Sequence, residues 1–359
     1  MANTKIEWTT ETWNPLAGCS KVSDGCKNCY AIKDAVRLAG NNNPKIASKY
    51  NGTTKNGNNW TGQINFASEE VLTQPIRWTR PRMIFVNSMS DLFHENVSDE
   101  WIDKIFAVMA LSPQHTFQIL TKRADRMRDY FVKHFTRHLI GVEANKITKR
   151  GHPLTEKGFG MKCDFDVCNM VFPLPNVHLG VSVENQKAAD ERIPLLLETP
   201  AAVRWLSCEP LLGEVDLTSL NREVGKIIPH THSIDCLRGA NWIYNDIHKT
   251  KDYYNRGNRI SWVVVGGESG NGARPCNIDW IRSIVKQCKA SSVPVFVKQL
   301  GSVPMMLEAD WRKMSPYYLL NANNHLKVPA DCVPIYQANK KGADVSEFPE
   351  DLQIRQFPK

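Results

Sequence analysis

From residue 83 onward, short runs rich in Val, Ile and Phe recur between stretches with helical spacing. The runs are MIFVNS (83–88), TFQIL (116–120), VHLGVSV (177–183), AVRWLS (202–207), WVVVGG (262–267) and VPVFVKQ (293–299). Short apolar runs of this kind suit strands covered on both faces. Between them, residues 99–111 place Ile102, Ile105, Phe106 and Met109 on one helical face, behind Asp99 and Glu100 in the first turn. Residues 123–138, 185–198 and 278–290 predict further helices. Pro194 is placed to bend the second of these. Asn277 is placed to cap the last, whose stripe is Ile281, Val285 and Cys288. Strand–helix alternation predicts an α/β fold with parallel strands, either a partial or full (β/α) barrel or a doubly wound sheet.

Two stretches break the rhythm, 144–176 and 221–260, and read as insertions in strand–helix connections. The expected organisation is a barrel domain over 1–301 carrying both insertions, then a C-terminal extension over 302–359 that caps the core. Residues 41–59, rich in Asn, Gly, Thr and Lys, predict a long polar loop.

The chain has 359 residues, 42% hydrophobic and 23% charged, which excludes wholesale disorder and a fibrous protein. No run of about 18 apolar residues predicts a membrane span, and MANTKIEWTT has no apolar signal core. A cytoplasmic location, in a bacterial host cell, is the expectation. There the ten cysteines stay reduced, as core residues, metal ligands or catalytic groups.

The formal charge of +8 favours polyanions, so DNA or RNA is a candidate partner; with no predicted span, a membrane is not an expected one. Residues 122–150 hold nine Lys or Arg against three acids, with Tyr130, Phe131 and Phe135 interleaved. That stretch is either a phosphate-contacting face or a solvated helix with its aromatics packed inward. Trp8, Trp13, Trp60 and Trp78 could stack on a base or pack the barrel end.

The most specific feature is WNPLAGCSKVSDGCKNCYA, in which Cys19, Cys26 and Cys29 have the spacing C-x6-C-x2-C. The loop is too polar for three core cysteines. Zinc would need a fourth ligand from elsewhere. A 4Fe–4S cluster can take three thiolates and leave one iron open. Gly18 and Gly25 supply the backbone freedom such a loop needs.

Each predicted strand ends in polar residues, and in a parallel barrel these ends share one face. The candidates for cofactor binding are Ser88, Ser90, Asp91, Lys122, Glu184, Asn185, Glu209, Glu268 and Lys298. For each, helix capping or a turn is the plainer role. GGESGNGARP lacks the ending of a P-loop. Cys163 and Cys168 in one insertion, with His232 and Cys236 in the other, could form a second site, for zinc.

The cysteine loop resembles the cluster loop of radical S-adenosylmethionine (SAM) enzymes. The chain is more closely similar to an uncharacterised phage and bacterial group of radical-SAM-like three-Cys-motif proteins. The likeness runs through IEWT, WNP, GCKNCYA, FVNSMSDLFH, TKRADR, LGVSVEN, RIPLL, LSCEPLLG, GGESGNGARP, VKQLG and the ending EFPEDLQIRQFP. The resemblance implies a barrel whose first strand feeds a loop in which Cys19, Cys26 and Cys29 hold a 4Fe–4S cluster. It implies SAM on the open iron, an external electron donor, and cleavage of SAM to a 5′-deoxyadenosyl radical. Six residues separate the first two cysteines where the commonest loop has three. SMSD stands where a GGE-type motif usually holds the SAM amino group, which favours Ser88, Ser90 and Asp91 over Glu268 for that role.

The expectation is a radical-SAM-like enzyme acting on an unknown substrate, with a nucleic acid or nucleotide (base modification or repair) fitting the basic stretch. The alternatives are a non-catalytic, zinc-containing nucleic-acid-binding protein and a barrel hydrolase or transferase using Glu209, Glu268 and Lys298.

Overall fold

The computed structural model describes residues 4, 6–133, 135–149, 170–222, 230–245, 250–308, 331–335 and 337–358. The chain divides into two compact units. The first comprises Met1–Val181 with Glu198–Val203, and the second Ser182–Leu197 with Arg204–Lys359.

In the first unit, strands β1 (Glu11–Trp13), β2 (Met83–Val86), β3 (Thr116–Thr121) and β4 (Val177–Ser182) run parallel in that order. Helices α1 (Tyr30–Ala39) and α2 (Pro44–Tyr50) follow β1. Helix α3 (Asp99–Ala110) joins β2 to β3, and α4 (Ala124–Val132) and α5 (Thr136–Thr148) lie between β3 and β4.

The pattern that predicted α3 is the one it buries. Ile102, Ile105, Phe106 and Met109 are all inaccessible. Each such side chain stabilises the fold by about 1.5–3 kcal/mol relative to exposure. Ser98 caps the helix by accepting from Trp101 N. Register sets Thr12, Phe85, Gln118 and His178 side by side on one sheet face. Alternation therefore sends Ile84, Phe117 and Val177 to the other.

In the second unit, α6 (Gln186–Glu198) precedes three parallel strands in the order β5 (Val203–Cys208), β6 (Trp262–Gly266) and β7 (Val295–Gln299). Helix α7 (Ile278–Ala290) joins the last two, capped as expected by Asn277, which accepts from Asp279 N. The C-terminal segment lies along β7, with Val297 N donating to Ile354 O and Gln356 N to Val295 O. Seven parallel strands, joined through helices except between β5 and β6, where the described residues form an antiparallel sheet instead, are the partial (β/α) barrel class of α/β fold. The six predicted strands all form, within two residues of their predicted ends.

Four local features differ from the expectation. Residues 41–59 are not a loop: Asn43 caps α2 with Pro44 in its first turn, and Thr54–Lys55 pairs with Asn59–Trp60 around Asn56 and Gly57, both at positive φ. Residues 123–138 form two helices, because the chain leaves helical geometry at Lys133 and the Thr136 hydroxyl donates to Tyr130 O. β1 carries no apolar run, so the hydrophobic pattern does not predict it; it stands where the resemblance implied a first strand feeding the cysteine loop. The stretch 221–260 forms most of an antiparallel sheet of Leu220–Arg222, His230–Asp235, Ala240–Asn245 and Thr250–Arg256. Among the described residues no helix is long and apolar enough to cross a membrane.

Candidate metal centre

The cysteine loop lies in the first unit and is anchored to the end of β2. The Asn14 carboxamide oxygen accepts from Ser88 Oγ (3.1 Å) and Met89 N (3.2 Å), and the Asn87 carboxamide accepts from Leu16 N (3.2 Å). Gly18 then bridges to Ser90 and donates its N–H to Met89 O. Gly18 sits at φ +101°, and a Cβ there would lie 2.0 Å from the Gln63 carbonyl oxygen. The residue before the first cysteine must therefore be glycine. The loop continues through a 3-10 turn, Asp24–Cys26, and Cys29 occupies the N-cap position of α1.

All three thiols are half-buried and unbridged. Cys19 and Cys29 pack on one small cluster that includes Ala17, Ala31, Ile32, Trp60 and Met89. The three sulfurs also feel one another electrostatically. Burial, with the nearby Asp91 carboxylate, pushes the Cys19 thiol up to about 12; the Arg123 guanidinium opposes this, and Cys29 and Cys26 add to it. Burial pushes Cys29 up, and Cys26 adds to the rise. The nearby N–H groups of Ala31 and Ile32, with Trp60, favour the charged form and pull it part of the way back. Cys26 Sγ lies 3.9 Å from Ser23 Oγ.

Beneath Cys19 is a buried polar hub centred on Arg123, which is 8% exposed. Its Nη1 donates to Asp91 Oδ2 (3.1 Å) and lies 4.0 Å from Cys19 Sγ. Its Nε donates to Glu95 Oε2 (2.7 Å) and its Nη2 to Ser20 Oγ (2.8 Å). Ser20 Oγ lies 2.9 Å from both His94 Nε2 and Glu95 Oε1. His94 Nδ1 accepts from Asn96 N, which places the proton of the neutral ring on Nε2, toward Ser20. Burial and the Arg123 charge hold His94 below its ordinary pKa, in keeping with that neutral ring. Burial alone would raise Glu95, but the bonds from Arg123 and Ser20 outweigh it and hold the carboxyl down at about 2.

Of the predicted residues, Asp91 has its carboxylate committed. Phe93 N and Thr121 Oγ1 donate to one oxygen, Lys122 N and Arg123 to the other. Lys122 thus reaches the hub through its backbone. Ser88 Oγ is spent on Asn14, and Ser88 O accepts from Tyr30 OH. Ser90 Oγ is buried without a hydrogen-bond partner.

In the second unit each strand-end acid is held by a base: Glu184 by Arg192 (2.8 Å), Glu209 by Lys298 (3.1 Å) and Glu268 by Arg274 (2.6 Å). The Glu209–Lys298 contact has ion-pair distance, yet Glu209 Oε1 has no aligned hydrogen-bond donor. Asn185 plays the plainer role, accepting from Ala188 N at the start of α6.

Of the proposed zinc group, Cys163 and Cys168 lie outside the described residues, as does the side chain of His232. Cys236 is fully buried and its thiol donates to Leu217 O. Among the described residues, no three His, Cys, Asp or Glu converge on the position of one metal ion.

Within the basic stretch, Arg126 and Lys133 bond Asp99, Arg128 bonds Asp129, and Lys146 bonds Glu143. Tyr130 and Phe131 are packed inward, whereas Phe135 is 70% exposed. Trp8, Trp13 and Trp60 are buried, and Trp78 stacks under Arg82.

Sequence reasoning missed Ser20, His94, Glu95 and Trp60 as parts of this centre. The available signal was the density of polar side chains in FVNSMSDLFHEN, directly after an apolar strand. No curated protein and no solved structure gives a significant match to the chain. A family model described as a protein of unknown function (DUF5131) matches residues 3–332. That span covers most of the 359 residues, and the chain therefore belongs to the DUF5131 family.

Proposed function

We propose that the chain is a radical-SAM-like enzyme whose Cys19, Cys26 and Cys29 hold a 4Fe–4S cluster. The observation that carries this reading is the gathering of three half-buried thiols, Cys19 and Cys29 of them packed on one cluster, on a loop pinned to a strand end of a parallel α/β unit. The donor set fits the group. Thiolates are the ordinary protein ligands of such a cluster, and each binds a different iron, so they need not converge on one atom. Among the described residues, every other cysteine belongs to the second unit. Among the described residues of the first unit, the thiols are those of Cys19, Cys26 and Cys29.

When bound, the cluster supplies an electron for reductive cleavage of SAM. The chain's own residues set the conditions. Trp60, Met89 and Ala17 exclude water from Cys19 and Cys29 on one side, and Arg123 places a fixed positive charge beside Cys19. Ser90, with its unspent hydroxyl next to the loop, is the group best placed to take a polar atom of SAM. An external reductant is required, and free thiols at every described cysteine suit a reducing cytoplasm. The net charge of +8 favours a nucleotide or nucleic acid as the substrate.

The test is anaerobic reconstitution with iron and sulfide, then dithionite and SAM, with 5′-deoxyadenosine as the product measured. Iron and sulfide near four per chain, lost in Cys26→Ser, with 5′-deoxyadenosine formed, is the expected result. Tightly held zinc with no iron uptake would instead support a colourless nucleic-acid-binding protein and overturn the enzyme reading.

A further inference from the structure

Of the three strand-end acids in the second unit, two are closed. Arg192 bonds both carboxylate oxygens of Glu184, and Arg274 both oxygens of Glu268, through aligned N–H groups. Glu209 differs. Lys298 Nζ stands 3.1 Å from its Oε1, yet no donor is aligned on that buried oxygen. Folded proteins rarely leave a buried acceptor unmet. The two side chains nevertheless keep 11% (Glu209) and 24% (Lys298) exposure.

Glu209 follows β5 and Lys298 lies on β7, the strands on either side of β6. They meet over Gly266 of β6, where a Cβ would lie 2.9 Å from Glu209 Oε1. Register pairs Val265 with Val297 and then Gly266 with Gln299, so Lys298 is the extra residue of a bulge. Bulges re-aim side chains and concentrate beside functional sites. An arginine would close the carboxylate with a rigid fork. A lysine is a point charge on a flexible stem, and its ammonium is free to turn toward a ligand and uncover the carboxylate.

We propose that Glu209 and Lys298 form a ligand site for the Watson–Crick edge of a nucleobase. Glu209 accepts a base N–H, and Lys298 donates to the neighbouring base oxygen or ring nitrogen. The opposite charges of the pair cancel, so the site suits a neutral edge with a donor beside an acceptor, and not a phosphate. Enzymes that act on an extruded base recognise it by this edge. The choice of a nucleobase rests on the substrate reading above; the site does not depend on the cluster.

The experiment is fluorescence anisotropy of the full-length chain at fixed salt, with a labelled single-stranded oligonucleotide of mixed bases and an abasic strand of equal length. Wild type should bind the base-bearing strand more tightly. Glu209→Leu should lower that affinity by about tenfold, the weight of one base-edge contact, and leave abasic binding unchanged. The double variant Glu209→Leu with Lys298→Met strands no charge; it should show the same loss and decides the matter if the single variant does not fold. An undiminished preference for bases in a folded variant overturns the site. A wild type with no such preference overturns both the site and the nucleic-acid substrate, while iron loading and 5′-deoxyadenosine formation still decide the cluster reading separately. Loss of SAM binding in place of base preference would assign the pair to the cofactor and overturn the proposal.

Discussion

Replacing Arg123 by Met probes the hub beneath the cysteine loop. Arg123 and Asp91 form a pair whose side chains are only 9% and 10% exposed. Removing one partner of a buried pair typically costs about 3–5 kcal/mol, mostly because the other charge is left buried. Asp91 keeps three donors, Phe93 N, Thr121 Oγ1 and Lys122 N, which places the loss near the lower end. Glu95 is 58% exposed and rehydrates easily, so its lost contact adds at most about 1 kcal/mol. The expected cost is about 3–4 kcal/mol, or a fall in Tm of roughly 6–15 °C for a unit of this size. Scanning calorimetry of the apo chain at pH 7 measures it. The double variant Arg123→Met with Asp91→Asn removes the stranded charge and should regain at least about 2 kcal/mol over additivity. A single-variant loss below about 1 kcal/mol, or strictly additive effects, would refute the assignment of Arg123 as the charge that holds Asp91.

Three further outcomes follow from other positions. Burial pushes His178 down to about 4, so between pH 6.5 and 4 the unfolded chain binds the extra proton. Stability should therefore fall with pH across that window, by at most about 3 kcal/mol, and His178→Leu should flatten the fall in urea titrations. Gly18→Ala forces both a left-handed backbone and a clash with Gln63 O, so it should cost at least about 2–3 kcal/mol and abolish iron uptake. Wild-type iron content in that variant would refute it. Burial pushes Lys49 down to about 8, and among the described residues it donates only to Asn14 O. Lys49→Met should stabilise the chain at pH 7 by about 1 kcal/mol and abolish the gain in stability between pH 8 and 10.5, as denaturant midpoints would show.

The core strands were legible because burial on both faces leaves unbroken apolar runs, as in Trp262–Gly266. β1 escaped because Glu11–Trp13 is three residues long and pairs on one side only, with β2. The hairpin at Thr54–Trp60 carried an Asn-Gly turn signal inside a polar stretch, where composition outweighed it. At the centre, spacing alone picked out the three cysteines. Their supports could not be read the same way, because Arg123 reaches Cys19 across 104 positions and Ser20 reaches His94 across 74. Periodicity reports which face a residue occupies, not which distant partner meets it there.

Those separations carry a consequence for how the protein matures. Residues 19–29 leave the ribosome ahead of Met89, Asp91 and Arg123, which must be synthesised before the turn has anything to lean on. Metal delivered to the nascent chain would meet three loose thiols on a floppy ribbon. On the cluster reading proposed above, iron loading would be a late event, in which the delivery machinery meets an already built nest.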